Sequence, residues 1–407
     1  MDTPMDRQAL LARLDTDAAL AFLARMVQHK SYSQTDGERA LAAFMKDAMA
    51  GIGLEAELTP VPGERVNAVG RLRGTGGGKS LLFNGHIDTN PVTEGWTVDP
   101  WGGKIDDRFI YGIGCSNMKA GDAAYFCAVK TLIEAGVKLR GDVILTYVVG
   151  ELQGGIGTYA LMEQGLRADY FVNSEPTDLQ AMTMHAAALS FVIELVGDTR
   201  HLSKREEAVD AILAACDLIP RMTAMKLSGA RSPEHETINR VHVGVVHGAL
   251  GKDLHEWRPP QVADFVRLKG SARYATGQTE DGVLADLRRE LDALEARFPG
   301  LKATVLSDNQ RGTPTMPTFE VAKTSPIVQA INKAYREVRG TEQPTGAITP
   351  PGFYGTDAGH LLHSGGMEGI VCGPGGRYNT MPDERVDIED YLDMIRVYML
   401  TILEVCG

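Results

Sequence analysis

Residues 80–88 read Ser-Leu-Leu-Phe-Asn-Gly-His-Ile-Asp. The apolar run over 80–83 has the length of a short buried strand, and it leads directly into Asn84, Gly85, His86 and Asp88. A helix predicted over 123–135 follows, closed by Gly136 at its C-terminus. The β-branched run over 143–149 then reads as a second buried strand, ending at Gly150-Glu151. Upstream, apolar residues recur at helical spacing over 15–27 and 38–52. A strand-like stretch holds Val66, Ala68 and Val69, and glycines 74 and 76–78 mark a turn between two strands. Strands alternating with helices in this way predict a doubly wound α/β sheet.

The pattern changes after about residue 187. Strands over 188–196, 241–246, 264–274 and 301–306 and helices over 203–219 and 281–298 give the order β-α-β-β-α-β, the ferredoxin-like signature. The α/β pattern then returns, with helices over 325–339 and 388–405 and a strand over 369–372. The expected organisation is one α/β domain in two parts, 1–186 and 311–407, interrupted by an inserted α+β domain over 187–310.

The chain has 407 residues, 43% hydrophobic and 23% charged, enough to build large cores. Its formal charge is 41 − 53 = −12, which disfavours a nucleic-acid partner because phosphate contacts need a basic face. Five widely spaced cysteines, with no Cys-x-x-Cys pair, argue against a disulfide framework and a cysteine zinc cluster. The polar N-terminus lacks the apolar core of a signal peptide, and no run of about 18 apolar residues suggests a membrane span. A cytoplasmic enzyme is the expectation.

Four polar clusters fall where strands should end, the usual position of α/β sites. His86 and Asp88 share one face of a strand, so the carboxylate can fix the tautomer of a metal-binding imidazole; a strand-end His beside an acid is the plainer alternative. Residues 111–121, YGIGCSNMKAG, form a Gly-rich loop opening a helix, without the spacing of a phosphate loop. Glu151 is placed either as a general base or as a helix N-terminal acid favoured by the dipole. Glu175, fixed before Pro176, suits a metal ligand or an ordinary turn.

In order along the chain, these blocks resemble the M20 metallopeptidase family. The stretches are GHIDTNPVTEGWTVDPWGG (85–103), YGIGCSNMKAG, GELQGGIGT (150–158), NSEPT (173–177), His201, Gly355-Thr356-Asp357-Ala358, and GPGGRYNTMPDERVDIEDY (373–391). The resemblance implies a zinc-peptidase α/β domain with an inserted ferredoxin-like lid through which two copies pair. It also implies that His86 and Glu175 are ligands and that Asp88 stands behind His86. Glu151 would be the base that activates water. His201 would reach the partner subunit's site as an oxyanion donor.

Three positions depart from the family pattern. Asn117 replaces the bridging Asp, Leu152 replaces the ligand Glu after the base, and Thr380 stands where the late ligand His belongs. The second of two metal positions thereby loses both private ligands. One divalent ion, Zn or Mn, is expected on His86, Glu175 and the Asn117 carbonyl oxygen. In the lid, His255-Glu256-Trp257-Arg258-Pro259 departs from the usual substrate-binding Asn. Arg258 and Arg273 are candidate partners of a substrate carboxylate. Gly355, Thr356 and Asp357 are read as a loop against the substrate. His360 and His363 are replacement ligands or, more simply, surface histidines. Cys115 is either a nucleophile or a small buried hydrophobe.

The function expected is hydrolysis of a non-peptide carbon–nitrogen bond, in an acylated amino acid or related small amide or by deamination of an aryl amine. It would use one metal-activated water, with Glu151 as base. Two other readings stand beside it: an inactive relative that binds a small molecule or a partner, and a metal-free enzyme using Glu151 and His201 as acid and base.

Overall fold

The computed structural model describes residues 6–256, 259–308 and 314–407. Arg258 lies outside them. Two compact units divide the chain: Met1–Met184 with Thr313–Pro351 and Gly355–Gly407, and His185–Gly312 with Gly352–Tyr354.

The first unit is built on an eight-stranded mixed sheet. Its middle four strands, Val143–Val148, Leu81–His86, Tyr170–Asn173 and Glu368–Val371, run parallel in that order. Every residue of the first two is buried, as expected of parallel strands covered on both faces. Arg65–Leu72 and then Glu55–Val61 extend the sheet antiparallel at one side. The helices Thr16–Val27, Asp36–Gly51, Ala120–Glu134 and Ile388–Cys406 contribute to the core that encloses the sheet. Phe83 packs on Tyr125 and Tyr398 with ring centroids 5.5 and 5.0 Å apart, tying the central strand to the helices that carry those tyrosines.

The sequence pattern gives most of these elements to within a few residues, but no range for the strand Tyr170–Asn173 and no strand at Glu55–Val61. That segment is rich in polar residues and contains Pro60, so it lacks a buried-strand signature. It survives as the outermost strand because an edge tolerates the missing N–H of a proline.

The second unit holds a four-stranded antiparallel sheet in the order Arg240–Ala249, Phe265–Tyr274, Ala187–Val196, Lys302–Ser307. The helices Ala211–Ala224 and Glu280–Arg297 share its separate apolar core. The helix expected over 203–219 is divided. A 3₁₀ turn, Leu202–Glu207, comes first, and Asp210 then caps the true helix by accepting hydrogen bonds from Ile212 N and Leu213 N at 2.9 and 3.0 Å. Among the described residues, no helix is long and apolar enough to cross a membrane.

Candidate active site

Three of the four parallel strands each deliver a functional group at the C-terminal edge. Leu81–His86 ends on His86, Val143–Val148 runs out to Glu151, and Tyr170–Asn173 runs out to Glu175. Beneath them lies a buried amide–hydroxyl network. Asn84 Nδ2 reaches Thr146 Oγ1 at 3.1 Å and Thr158 Oγ1 at 3.0 Å, and Asn173 Nδ2 donates to Asn84 Oδ1 at 2.9 Å. These bonds link the strand ends rigidly, because a buried polar group left unpaired is costly.

His86 is buried, and its Nδ1–H donates to the main-chain carbonyl of Asp88 at 2.9 Å. This corrects the sequence expectation for Asp88. Its carboxylate stands 3.7 Å from Nδ1, and the backbone fixes the tautomer instead. The Asp88 carboxylate is taken up by the turn that bears the base. Oδ1 accepts from Gly150 N at 2.9 Å and Glu151 N at 3.3 Å, and Oδ2 lies 3.0 Å from Ser33 Oγ. Gly150 makes that turn possible. Its φ is +79°, and a Cβ there would sit 2.5 Å from Ile156 Cγ2. Gln153 Oε1, in the same turn, is held by Arg65 Nη1 at 3.1 Å, and Arg65 Nε donates to Glu38 Oε2 at 2.8 Å.

His86 Nε2 faces Asn117 Oδ1 at 3.3 Å and Glu175 Oε1 at 3.7 Å. Ligand atoms about 2.1 Å from a tetrahedral ion lie ~3.4 Å apart, so this spacing suits one divalent cation with three protein donors. The donor set is one imidazole, one carboxylate and one amide oxygen. Among the described residues, no three His, Cys, Asp or Glu side chains form a ready ligand cluster. Thr380 is exposed on the loop before Glu384, and Leu152 turns an apolar side chain outward. Neither supplies a donor of the kind a second ion needs.

The electrostatics also call for a cation. Burial works against the His86 imidazolium, yet Glu175, Glu151, Asp88 and Asp122 outweigh it and push the pKa up to about 10. Burial drives Glu151 well above the usual carboxylate range; His86 opposes this, while Glu175, Asp357 and Asp88 add to it. Burial raises Glu175 as well, against the pull of His86, and lifts Asp357 to about 7. Five acids crowd around one imidazole and push one another toward the neutral form, whereas a divalent ion held there would favour their ionised forms.

Two residues that the sequence reading passed over complete the surroundings. Glu384 is buried, and its Oε1 accepts from Ser116 N and Asn117 N, both at 2.9 Å. It therefore sets the backbone of the Asn117 loop. The pairing of Arg385–Asp387 with Phe109–Tyr111 brings it there, a long-range contact that no local pattern announces. Asp122, in the first turn of Ala120–Glu134, is buried with Oδ1 2.9 Å from Tyr125 Oη.

The remaining candidates are placed as follows. Gly355, Thr356 and Asp357 are buried in the first unit, and Thr356 Oγ1 accepts from Ala358 N at 3.1 Å. His360 is 4% exposed and not a surface residue; its Nε2 donates to Gly154 O at 2.8 Å, so it braces the base turn. His363 is exposed and donates to Thr318 O. Cys115 is buried, with Sγ 3.4 Å from Ile110 O, and burial raises its pKa well above the ordinary thiol value, which suits a packing residue. In the second unit, His201 is exposed and its Nδ1 accepts from Ser203 N at 3.2 Å, while Arg273 lies on Phe265–Tyr274 opposite Arg240 and Ala188.

Comparison with known proteins places the chain in a family. The model of Peptidase family M20/M25/M40 matches residues 82–404. N-formyl-4-amino-5-aminomethyl-2-methylpyrimidine deformylase of Bacillus subtilis (strain 168) is 27% identical over 373 residues, 84% of this chain and 83% of that protein. Acetylornithine deacetylase of Salmonella typhimurium is 27% identical over 300 residues, 72% and 73% of the two chains. Among solved structures, human carnosine dipeptidase 1 superposes with a TM-score of 0.75 at 14% identity, covering 99% of both chains. The Bacillus subtilis YXEP protein, a dinuclear metal binding peptidase, gives 0.63 at 17% identity over 95% and 99%. The strand-end site and a family match spanning most of the chain lead to one conclusion: this protein is a member of peptidase family M20/M25/M40.

Proposed function

We propose that this protein hydrolyses a carbon–nitrogen bond in a small amide, with Glu151 as general base and one divalent ion held by His86, Glu175 and Asn117. The observation that carries this reading is the placement of Glu151. Asp88 grips its backbone, and burial, with Glu175 and Asp357 adding to it against the pull of His86, raises its pKa well above the usual carboxylate range. A bound Zn or Mn ion would polarise the scissile carbonyl and ease deprotonation of water.

Glu151 takes the proton from the attacking water as the new carbon–oxygen bond forms. It returns that proton to the leaving nitrogen as the carbon–nitrogen bond breaks. Asp88 keeps the carboxylate aimed during both transfers. Asn117 in place of an acid lowers the negative charge around the ion, which weakens its hold and leaves it a stronger Lewis acid.

His201 is our candidate for the oxyanion donor, supplied between copies of a homodimer, and Arg273 for a substrate carboxylate. The cytoplasm as compartment accords with five cysteines that are all unpaired.

Relatives that remove formyl and acetyl groups from nitrogen define the first substrates to try: an N-formyl aminomethylpyrimidine, N-acetyl amino acids, and an aryl amine for deamination. Glu151→Gln is expected to lower kcat by about 10² to 10⁴ while leaving the circular dichroism spectrum unchanged. Full activity in that variant would remove Glu151 as the base.

A further inference from the structure

Beside Asn117 the first unit opens into a cleft of about 250 Å³, whose lining includes Trp96, Ile113, Thr380, Met381 and Glu384. We propose that this cleft, which Asn117 and Thr380 border, seats an uncharged, substituted six-membered ring of the substrate. The inference rests on the hydrolase reading above and names the substrate class.

Size sets the first bound. An apolar cavity of ~150 Å³ accepts benzene, so about 250 Å³ accommodates one substituted ring and not two. The walls set the second. An indole, a thioether and a branched aliphatic chain favour a flat π-system over a flexible chain. Charge sets the third. Glu384 is the one charged residue among those lining the cleft, and no Lys or Arg joins it. Its Oε1 already accepts two backbone N–H groups. Among the cleft's own side chains a ligand carboxylate would meet an acid and no cationic partner.

Titration of the full-length protein with benzamide, benzoate and acetamide, followed by ligand-observed NMR, tests this. Benzamide is expected to bind saturably, with benzoate and acetamide weaker by about tenfold or more. Met381 is 41% exposed, so Met381→Trp should fold and block the cleft, and Trp96→Ala should remove one wall. Each is expected to weaken benzamide binding at least several-fold with a native circular dichroism spectrum. Binding should persist in Glu151→Gln, so that loss of the ring site and loss of the base register separately. The proposal is overturned if benzamide does not saturate, if benzoate binds as well as benzamide, or if both folded variants bind it like the parent protein.

Discussion

Asn117 and Asp88 show how much of the chemistry depends on single atoms. Replacing Asn117 with Asp restores a carboxylate facing His86 Nε2, across the 3.3 Å gap now bridged by an amide oxygen. One more negative ligand should raise affinity for Zn or Mn by tenfold or more, measured by calorimetric titration of both proteins. An unchanged affinity would mean that Asn117 does not hold the ion. Asp88→Asn keeps the shape and an oxygen toward Gly150 N and Glu151 N, but puts an amide NH2 where Oδ2 accepts from Ser33 Oγ and faces Leu152 N. The expected loss is about 1–3 kcal/mol of stability in urea denaturation, together with a fall in kcat from a misaimed base. At this scale the sequence spoke clearly where side chains stand within a few residues of a strand end, as His86, Glu151 and Glu175 do. It was silent on Glu384, whose role depends on a backbone 267 and 268 positions away. It also misread which atom of Asp88 meets the imidazole, because strand periodicity gives the face a side chain occupies but not the partner it finds there.

The central strands are pinned at the end opposite the site by Asp169. Its Oδ1 accepts from Lys79 Nζ at 2.8 Å, and its Oδ2 from Ser80 N at 2.9 Å and Ser80 Oγ at 2.8 Å. The Lys79 ammonium and the Ser80 amide, against a small burial cost, lower its pKa to about 2. The folded state therefore holds the proton less tightly than the unfolded chain. The stability it contributes is present above the ordinary Asp pKa and is lost as pH falls through that value toward about 2. Asp169→Asn should be less stable than the parent protein at pH 7, and the difference should shrink as the pH falls from about 4 to about 2. Chemical denaturation across that range checks the sign, and a difference independent of pH would contradict it. In the base turn, Gly150→Ala forces a side chain into φ +79° and against Ile156. A loss of about 1–3 kcal/mol is expected, read as a shift of the urea midpoint. Elements were legible in proportion to their burial. The apolar strands 81–86 and 143–148 declared themselves, whereas Glu55–Val61, polar at the sheet edge, did not.

Across the whole molecule, the order β-α-β-β-α-β over the middle third could be read because each strand of the second unit is itself amphipathic or apolar, and its sheet order of Arg240–Ala249, Phe265–Tyr274, Ala187–Val196, Lys302–Ser307 matches the ferredoxin-like arrangement. Lid-mediated pairing of two copies remains our proposal. If His201 acts across the pair, His201→Ala should lower kcat more than it raises KM in a protein that still elutes as a dimer, and an unaltered kcat would remove it from the mechanism. The central claim concerns the ion. His86 Nε2 faces both Asn117 Oδ1 and Glu175 Oε1, and we propose that these three hold a single cation, although the family resemblance implies two positions. Elemental mass spectrometry of the protein purified without a histidine tag tests this most directly. About one Zn or Mn per chain, lost in His86→Ala and Glu175→Ala, is the expected result. Two ions per chain, or none after incubation with Zn and Mn, would contradict it.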